Sequence, residues 1–310
     1  MGKGIVVVGS YIVALVMDVD RIPTAGETLI GRNFRQTHGG KGSNQAVQAA
    51  RLGAEVSFVG KIGNDSFGRE FLELCRKENV DSSFVSGHDR LPTASGLIIC
   101  AQGKNIITID IGALNAFDSE DIDRACVLFS PETVVMLQLE IPLDAALYAA
   151  RRGKERGATI ILNPAPAARL TGIDLSFVDY LTPNETEARV CLGLDPNESI
   201  SDASLADRML GLGCKNVVIT LGDKGCLLAN GDGQIASPAF AFPAIVDSTG
   251  AGDAFNAGLA AALSAGMPIE RALRYANATG GLACTKSDTI PAFHTNDEVE
   301  ACMRTSGTRT

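Results

Sequence analysis

Asp247-Ser-Thr-Gly-Ala-Gly-Asp253 places two aspartates around a run with no bulky side chain between them. Ala254-Phe-Asn-Ala-Gly-Leu-Ala-Ala-Ala-Leu263 continues it with small, helix-forming residues, and Phe240 to Val246 before it is expected as a strand. The order is therefore strand, tight turn, helix. The first N–H groups of a helix have no internal acceptor, and the local dipole favours negative charge. Gly250 and Gly252 carry no side chain that would hold a phosphate away from those groups. An anion site beside a carboxylate is apparatus for moving a phosphoryl group onto a hydroxyl. Asp253 by itself reads more readily as an ordinary helix cap; the two aspartates flanking Thr-Gly-Ala-Gly tilt the balance toward chemistry.

Four further segments have chemistry in reach. Gly39-Gly-Lys-Gly-Ser-Asn44 precedes a helical run expected at Gln45–Leu52. Its glycines permit close approach, and Lys41 and Asn44 can donate to hydroxyls, although a glycine-rich helix start looks the same. The G-x-x-x-x-G-K-[ST] spacing of a phosphate loop is missing, as is G-x-G-x-x-G, and no strand-like run immediately precedes the glycines. Pro183-Asn-Glu-Thr-Glu187 follows Val178–Thr182 and starts a helix, with Asn184 and Glu187 spaced as a capping box. The alternative is that both approach Mg²⁺, largely through water. Thr220-Leu-Gly-Asp-Lys-Gly225 is either a hairpin turn into Cys226–Ala229 or a loop accepting nucleotide phosphate or ribose. Glu140 is a lone acid after the apolar run Val134–Leu139, where a carboxylate is seldom needed for packing.

These segments need a scaffold, and the chain carries its signature. Helical patterns end in glycine and β-branched runs follow, at Arg51–Val59, Arg156–Leu162 and Leu212–Ile219. With Val134–Leu139 leading to an alanine-rich 143–156, they predict an α/β fold, a mostly parallel sheet with helices on both faces. Such sheets bind ligands beyond the carboxyl ends of their strands, where the turns at 39–44, 140, 163–166, 182–187, 220–225 and 247–253 are expected to converge. Segments 11–36 and 91–110 are extended with no helix between turns, and are expected as a small accessory sheet over the site, a lid or a dimer surface. The whole chain, 1–310, is expected as one domain with a frayed Ser/Thr-rich tail at 305–310.

Composition narrows the classes. A net charge of −9 with no Lys/Arg cluster argues against a nucleic-acid partner. Eight cysteines stand singly, without a CxxC pair and with only three His, so zinc is not expected. Most lie in apolar or helical surroundings, as reduced core residues of a cytoplasmic protein do. Ile5–Met17 is interrupted by Gly9-Ser-Tyr11 and has no cleavage site, so it is expected as a buried first strand and not a signal peptide. No stretch is long enough to cross a membrane.

Taken together, Gly39–Ala46, Gln138-Leu-Glu140, Asn163-Pro-Ala-Pro-Ala167, Pro183–Glu187, Thr220–Gly225 and Asp247–Asp253 resemble the ribokinases within the PfkB-type carbohydrate kinase family, in order and along nearly the whole chain. The resemblance implies a three-layer α/β/α kinase domain with a small β-sheet lid, often used for homodimerisation. It also implies a small-molecule sugar acceptor, ATP, Mg²⁺ and a monovalent cation such as K⁺. Carried over, Asp253 is the general base, and the N–H groups of Gly250, Ala251 and Gly252 form the anion hole. Gly40, Lys41, Asn44 and Glu140 hold the sugar, while Asn184 and Glu187 organise Mg²⁺ and phosphates. Thr220, Gly222 and Gly225 line the nucleotide, with Asn277 near the base. Asp247, the carbonyl of Thr249 and backbone from Cys284 through Ser287 to Thr289 form the cation loop, with Asp288 where the family often has glycine.

One stretch departs from the pattern. Ribokinases typically read Gly-Ser-x-Asn-x-Asp after the first strand, and this chain has Gly9-Ser-Tyr-Ile12-Val-Ala14. Ile12 and Ala14 thus stand at two positions that grip sugar hydroxyls. Either another group fills in, or the acceptor is less hydroxylated or different, or activity is low. The expected activity is ATP-dependent phosphorylation of a primary sugar hydroxyl, foremost that of ribose. The alternatives are another sugar or a nucleoside as acceptor, or a weakly catalytic sugar-binding protein.

Overall fold

The computed structural model describes residues 4–102 and 104–305, so all of the expected tail past Thr305 lies outside the described residues. β1 (Gly4–Val8), β2 (Ile12–Asp18) and β3 (Arg32–Gly39) lead into α1 (Lys41–Arg51). β4 (Val56–Gly63), α2 (Ser66–Lys77), β5 (Val80–His88), β6 (Ser95–Ala101) and β7 (Lys104–Asp110) follow. Next come α3 (Ser119–Ala125), β8 (Thr133–Leu137), α4 (Leu143–Glu155), β9 (Thr159–Leu162), β10 (Tyr180–Leu181), α5 (Glu185–Cys191) and α6 (Asp202–Leu210). β11 (Asn216–Thr220), β12 (Cys226–Asn230), β13 (Gly233–Ser237), α7 (Ala251–Ser264), α8 (Ile269–Ala283) and α9 (Asn296–Thr305) complete the order.

The large sheet runs β13-β12-β11-β10-β9-β8-β1-β4-β5. It is parallel from β5 through β11 and antiparallel only at β12 and β13. Strand alternation divides the core. Val6, Val8, Val135, Leu137, Ile160 and Leu162 pack with Ile122, Ala146, Ala188 and Leu205 of α3, α4, α5 and α6. Ile5, Val7, Val134, Met136 and Ile161 face the other way, toward Ala46, Phe71 and Ala254 of α1, α2 and α7. Period-2 runs buried on both faces are what a parallel sheet between two helix layers requires.

The two helix-free segments pair as a separate sheet, β3-β2-β6-β7. Two local expectations are corrected here. A strand, β3, does run straight into the Gly39 turn; its Arg-Asn-Phe-Arg-Gln sequence is exposed, so no apolar alternation betrays it. The helix then starts at Lys41, not Gln45, because Asn44 N–H bonds Gly40 O at 3.0 Å and Ser43 Oγ donates to Gly39 O at 2.6 Å. A third correction concerns Phe240–Val246, which forms no strand. Pro243 lacks an N–H for a ladder, and the chain has already left the sheet at Ser237. The apolar side chains of this segment line a cavity instead.

Candidate active site

The strands of the large sheet end in polar residues at matching heights. Gln138 follows β8, Asn163 follows β9 and Thr182 follows β10, and all three are buried. Buried amides need partners, and here they find one another. Gln138 Nε2 donates to Gln45 Oε1 at 2.7 Å, and Gln45 Nε2 donates to Asn163 Oδ1 at 3.2 Å. Asn163 Nδ2 donates to Thr182 O at 2.8 Å, and Thr182 Oγ1 donates to Asn256 Oδ1. Asn256 Nδ2 closes the chain on Gly252 O at 2.8 Å, at the head of α7.

Asp253 sits on this network. It is 7% exposed, and its carboxylate accepts from Asn44 Nδ2 at 2.9 Å and Gln45 Nε2 at 3.0 Å. Two amides from α1 thereby orient the carboxylate in the first turn of α7. Asn44 Oδ1 is buried and accepts nothing among the described residues. Sequence reasoning gave no role to Gln45, Gln138, Asn163, Thr182 or Asn256. For Gln138, Asn163 and Thr182 the available signal is a polar residue closing each apolar strand run; Gln45 and Asn256, inside α1 and α7, have none.

α7 opens at Ala251 after Gly250, whose φ of 79° lies in the left-handed region. A methyl placed on Gly252 would meet no described atom within 4 Å, so packing does not demand this glycine. Ala251 N–H closes a turn on Ser248 O at 3.2 Å, which makes it less free than the N–H groups of Gly250 and Gly252 as an anion donor. Glu140 caps a second helix: its Oε2 accepts from Lys41 N–H at 2.7 Å, at the start of α1, and from Ser10 Oγ. Gly40 lets the Ser10–Ile12 backbone pack against the start of α1. Its φ is 93°, and a Cβ there would stand 2.8 Å from Ile12 N and 3.0 Å from Ser10 O.

The charges converge as well. Burial alone would lower the Lys41 ammonium's pKa, but Asp253, Glu140 and Glu187 surround it, and the balance holds it above the ordinary lysine value. Burial raises Glu140 above the usual carboxylate range, with hydrogen bonds from Ser10 and Lys41 opposing it. Glu187 is raised for the same reason, opposed by the Asn184 N–H. That N–H donates to Glu187 Oε2 at 2.8 Å while Glu187 N–H donates to Asn184 Oδ1 at 2.8 Å, so the expected capping box is present at the head of α5.

A cavity of about 710 Å³ opens beside Gly252. Asn184, Thr220, Gly222, Gly225 and Asn277 all line it, with Cys284 farther along α8. Asn277 Nδ2 is bound to Ser237 O at 2.9 Å and Ser237 Oγ at 3.0 Å, which ties α8 to the end of β13. Just ahead of α7, Asp247 Oδ1 accepts from Thr249 N at 2.9 Å and Thr249 Oγ1 at 2.7 Å, and Oδ2 from Asp288 N at 3.1 Å. Burial works against these bonds, but together they hold the Asp247 carboxyl below its usual value. Asp288 takes a φ of 74°. Cys284 O already accepts from Val246 N and Asp247 N, and Thr289 Oγ1 turns to His38 O; Ser287 is exposed. Ile12 is buried in the core at the start of β2, and half-buried Ala14 stands two residues on, opposite Thr37 of β3 and Gly96 of β6.

Residues 3–296 match the model of the pfkB family of carbohydrate kinases. The chain is 37% identical over 306 residues to a ribokinase of Bacillus subtilis, covering 97% of this chain and 99% of that one. It is 35% identical over 258 residues to a deoxyribokinase of Salmonella typhimurium, covering 81% and 82%. Its fold superimposes on Arabidopsis thaliana ribokinase complexed with ribose and ATP with a TM-score of 0.88, at 29% identity and covering 98% and 99%.

Proposed function

The chain belongs to the pfkB family of carbohydrate kinases and is an ATP-dependent sugar kinase, and from that premise we propose that its acceptor is D-ribose, phosphorylated on the primary hydroxyl to ribose 5-phosphate. The observation that carries this is the double grip of Asn44 and Gln45 on Asp253 at the open head of α7. A carboxylate so fixed aligns the hydroxyl and takes its proton as the phosphoryl group arrives. The free N–H groups at Gly250 and Gly252, with Ala251 beside them, face the developing charge. Lys41 and Glu140 hold sugar hydroxyls, Asn44 Oδ1 accepts one, and the approach along Gly40 is backbone-close. The cavity from Asn184 past Thr220, Gly222 and Gly225 to Asn277 takes ATP.

Among the described residues no group of three or more His, Cys, Asp or Glu is arranged to hold a metal. Asn184 and Glu187 fit Mg²⁺ in the manner that ion favours, through water and substrate phosphates. Bound with ATP, it supplies charge neutralisation on the phosphates. For a monovalent cation, Asp247 and the carbonyls at Thr249, Ser287 and Thr289 fit better than Cys284, whose carbonyl is already engaged twice. A homodimer through the small sheet fits its exposed Leu97, Ile106, Ile107 and Ile109.

Asp253→Asn is expected to cut turnover by at least about a hundredfold, with sugar and nucleotide still binding by calorimetry. Near-parental ADP release would sink the role given to Asp253. A second acceptor is favoured by Ile12 and Ala14, which offer no polar side chain on β2. Losing one charged hydrogen bond to a hydroxyl is worth about 1.5–3 kcal/mol, so 2-deoxyribose should compete well with ribose. The ratio of kcat/KM for the two sugars decides between them.

A further inference from the structure

Asn277, Gly280, Gly281 and Cys284 recur at i, i+3, i+4 and i+7 and so form one face of α8, the face that lines the nucleotide cavity. Opposite them lies the segment after β13, whose Phe240, Phe242 and Ile245 also line it. The two walls meet at one contact. A Cβ built on Gly281 would stand 2.3 Å from Cε2 of Phe242, with Cζ at 3.1 Å and Cδ2 at 3.3 Å. The Phe242 ring therefore lies against bare backbone, in space that any side chain on residue 281 would take. Residues 240–246 belong to no strand or helix, and the segment is tied to the end of α8 only downstream of the ring, by Val246 N–H donating to Cys284 O at 2.8 Å among the described residues. The polar groups at that wall are few, and both Asn277 amide hydrogens serve Ser237 and Pro238. Discrimination among donors then falls to shape and ring contact.

We propose that Phe242, seated on Gly281, is the specificity-determining residue for the phosphoryl donor, its ring forming the wall against which the purine nucleoside packs. The chemistry it selects is a purine nucleoside triphosphate whose flat base fits between that ring and the loop at Gly222–Gly225. Gly281 is the positioning residue, because only a residue without a side chain leaves room for the edge of the ring against α8. The proposal rests on the kinase activity inferred above. If that activity is wrong, the parent protein releases no ADP with any sugar; if only the present inference is wrong, the parent is active and the variants below behave like it.

The chain contains no tryptophan, so Phe242→Trp introduces a single reporter. ADP is expected to change its emission with the same midpoint that calorimetry gives, and ribose alone is expected to leave it unchanged. Gly281→Ala should raise the KM for ATP roughly tenfold, the scale of one lost aromatic contact, with much less change in kcat or in the sugar KM. Phe242→Ala should admit ATP carrying a bulky N6 substituent and should shift the GTP-to-ATP preference. The double variant should show the ATP KM of Phe242→Ala alone, since with no ring to displace the added methyl costs nothing further. An emission blind to saturating ADP would overturn the proposal. So would Phe242→Ala with the parent's ATP KM and donor preference, which holds even if Gly281→Ala fails to fold.

Discussion

Glu187 serves the fold through the carboxylate that we propose also serves the chemistry. It caps the Asn184 N–H, yet burial holds its pKa above the ordinary glutamate value. A carboxyl raised on folding stabilises fully below its unfolded pKa, and that contribution is lost as pH climbs through the folded value. Glu187→Gln keeps the capping acceptor and removes the charge. Its unfolding midpoint is expected above the parent's at pH 8, with the gap closing toward pH 5, while phosphoryl transfer falls; a variant no more stable at pH 8 refutes this. The thiols give a second test. Burial pushes Cys75, Cys191, Cys214 and Cys226 up to about 12, so an aromatic disulfide reagent at pH 8 should reach them only on unfolding. Asp253, Lys41 and Asn44 stand out in the sequence because their glycine-rich settings are unusual, and Glu140 because a lone acid closes an apolar run. Gln45 and Gln138 are not, since an amide's meaning depends on which strand end it faces.

At the level of elements, the alternation of helix, glycine and β-branched run is enough to foresee the large sheet. The segment Phe240–Val246 is not foreseeable that way. Its apolar residues imitate a strand, and only the cavity they line explains why they are apolar. β3 fails in the opposite sense, as a polar strand whose partner β2 supplies the burial. A buried ion pair fixes the joint between the sheet and α3. Lys61 of β4 meets Asp121 of α3 at 2.8 Å, with side chains 14% and 2% exposed, and Ser86 Oγ of β5 donates to the same carboxylate at 2.8 Å. Removing one partner leaves a buried charge without its counterpart. Asp121→Ala is expected to cost roughly 3–5 kcal/mol in urea unfolding, and a loss below about 1 kcal/mol would show the joint to be held by packing alone.

At the scale of the molecule, the small sheet turns Ile107, 56% exposed, and Leu97, 50% exposed, to solvent. If two copies pair there, Ile107→Lys should shift light-scattering mass from dimer to monomer; a parent already monomeric at high concentration would refute the pairing. The same sheet is joined to the candidate site by a single residue. β3 ends at Gly39 and α1 begins at Lys41, so Gly40 alone separates them, and it is wedged against Ser10, Tyr11 and Ile12. Such a joint behaves as a crank and not as a hinge. A tilt of the sheet would be carried straight into the first turn of α1, where Lys41, Asn44 and Gln45 lie, and through the Asn44 and Gln45 amides to the Asp253 carboxylate.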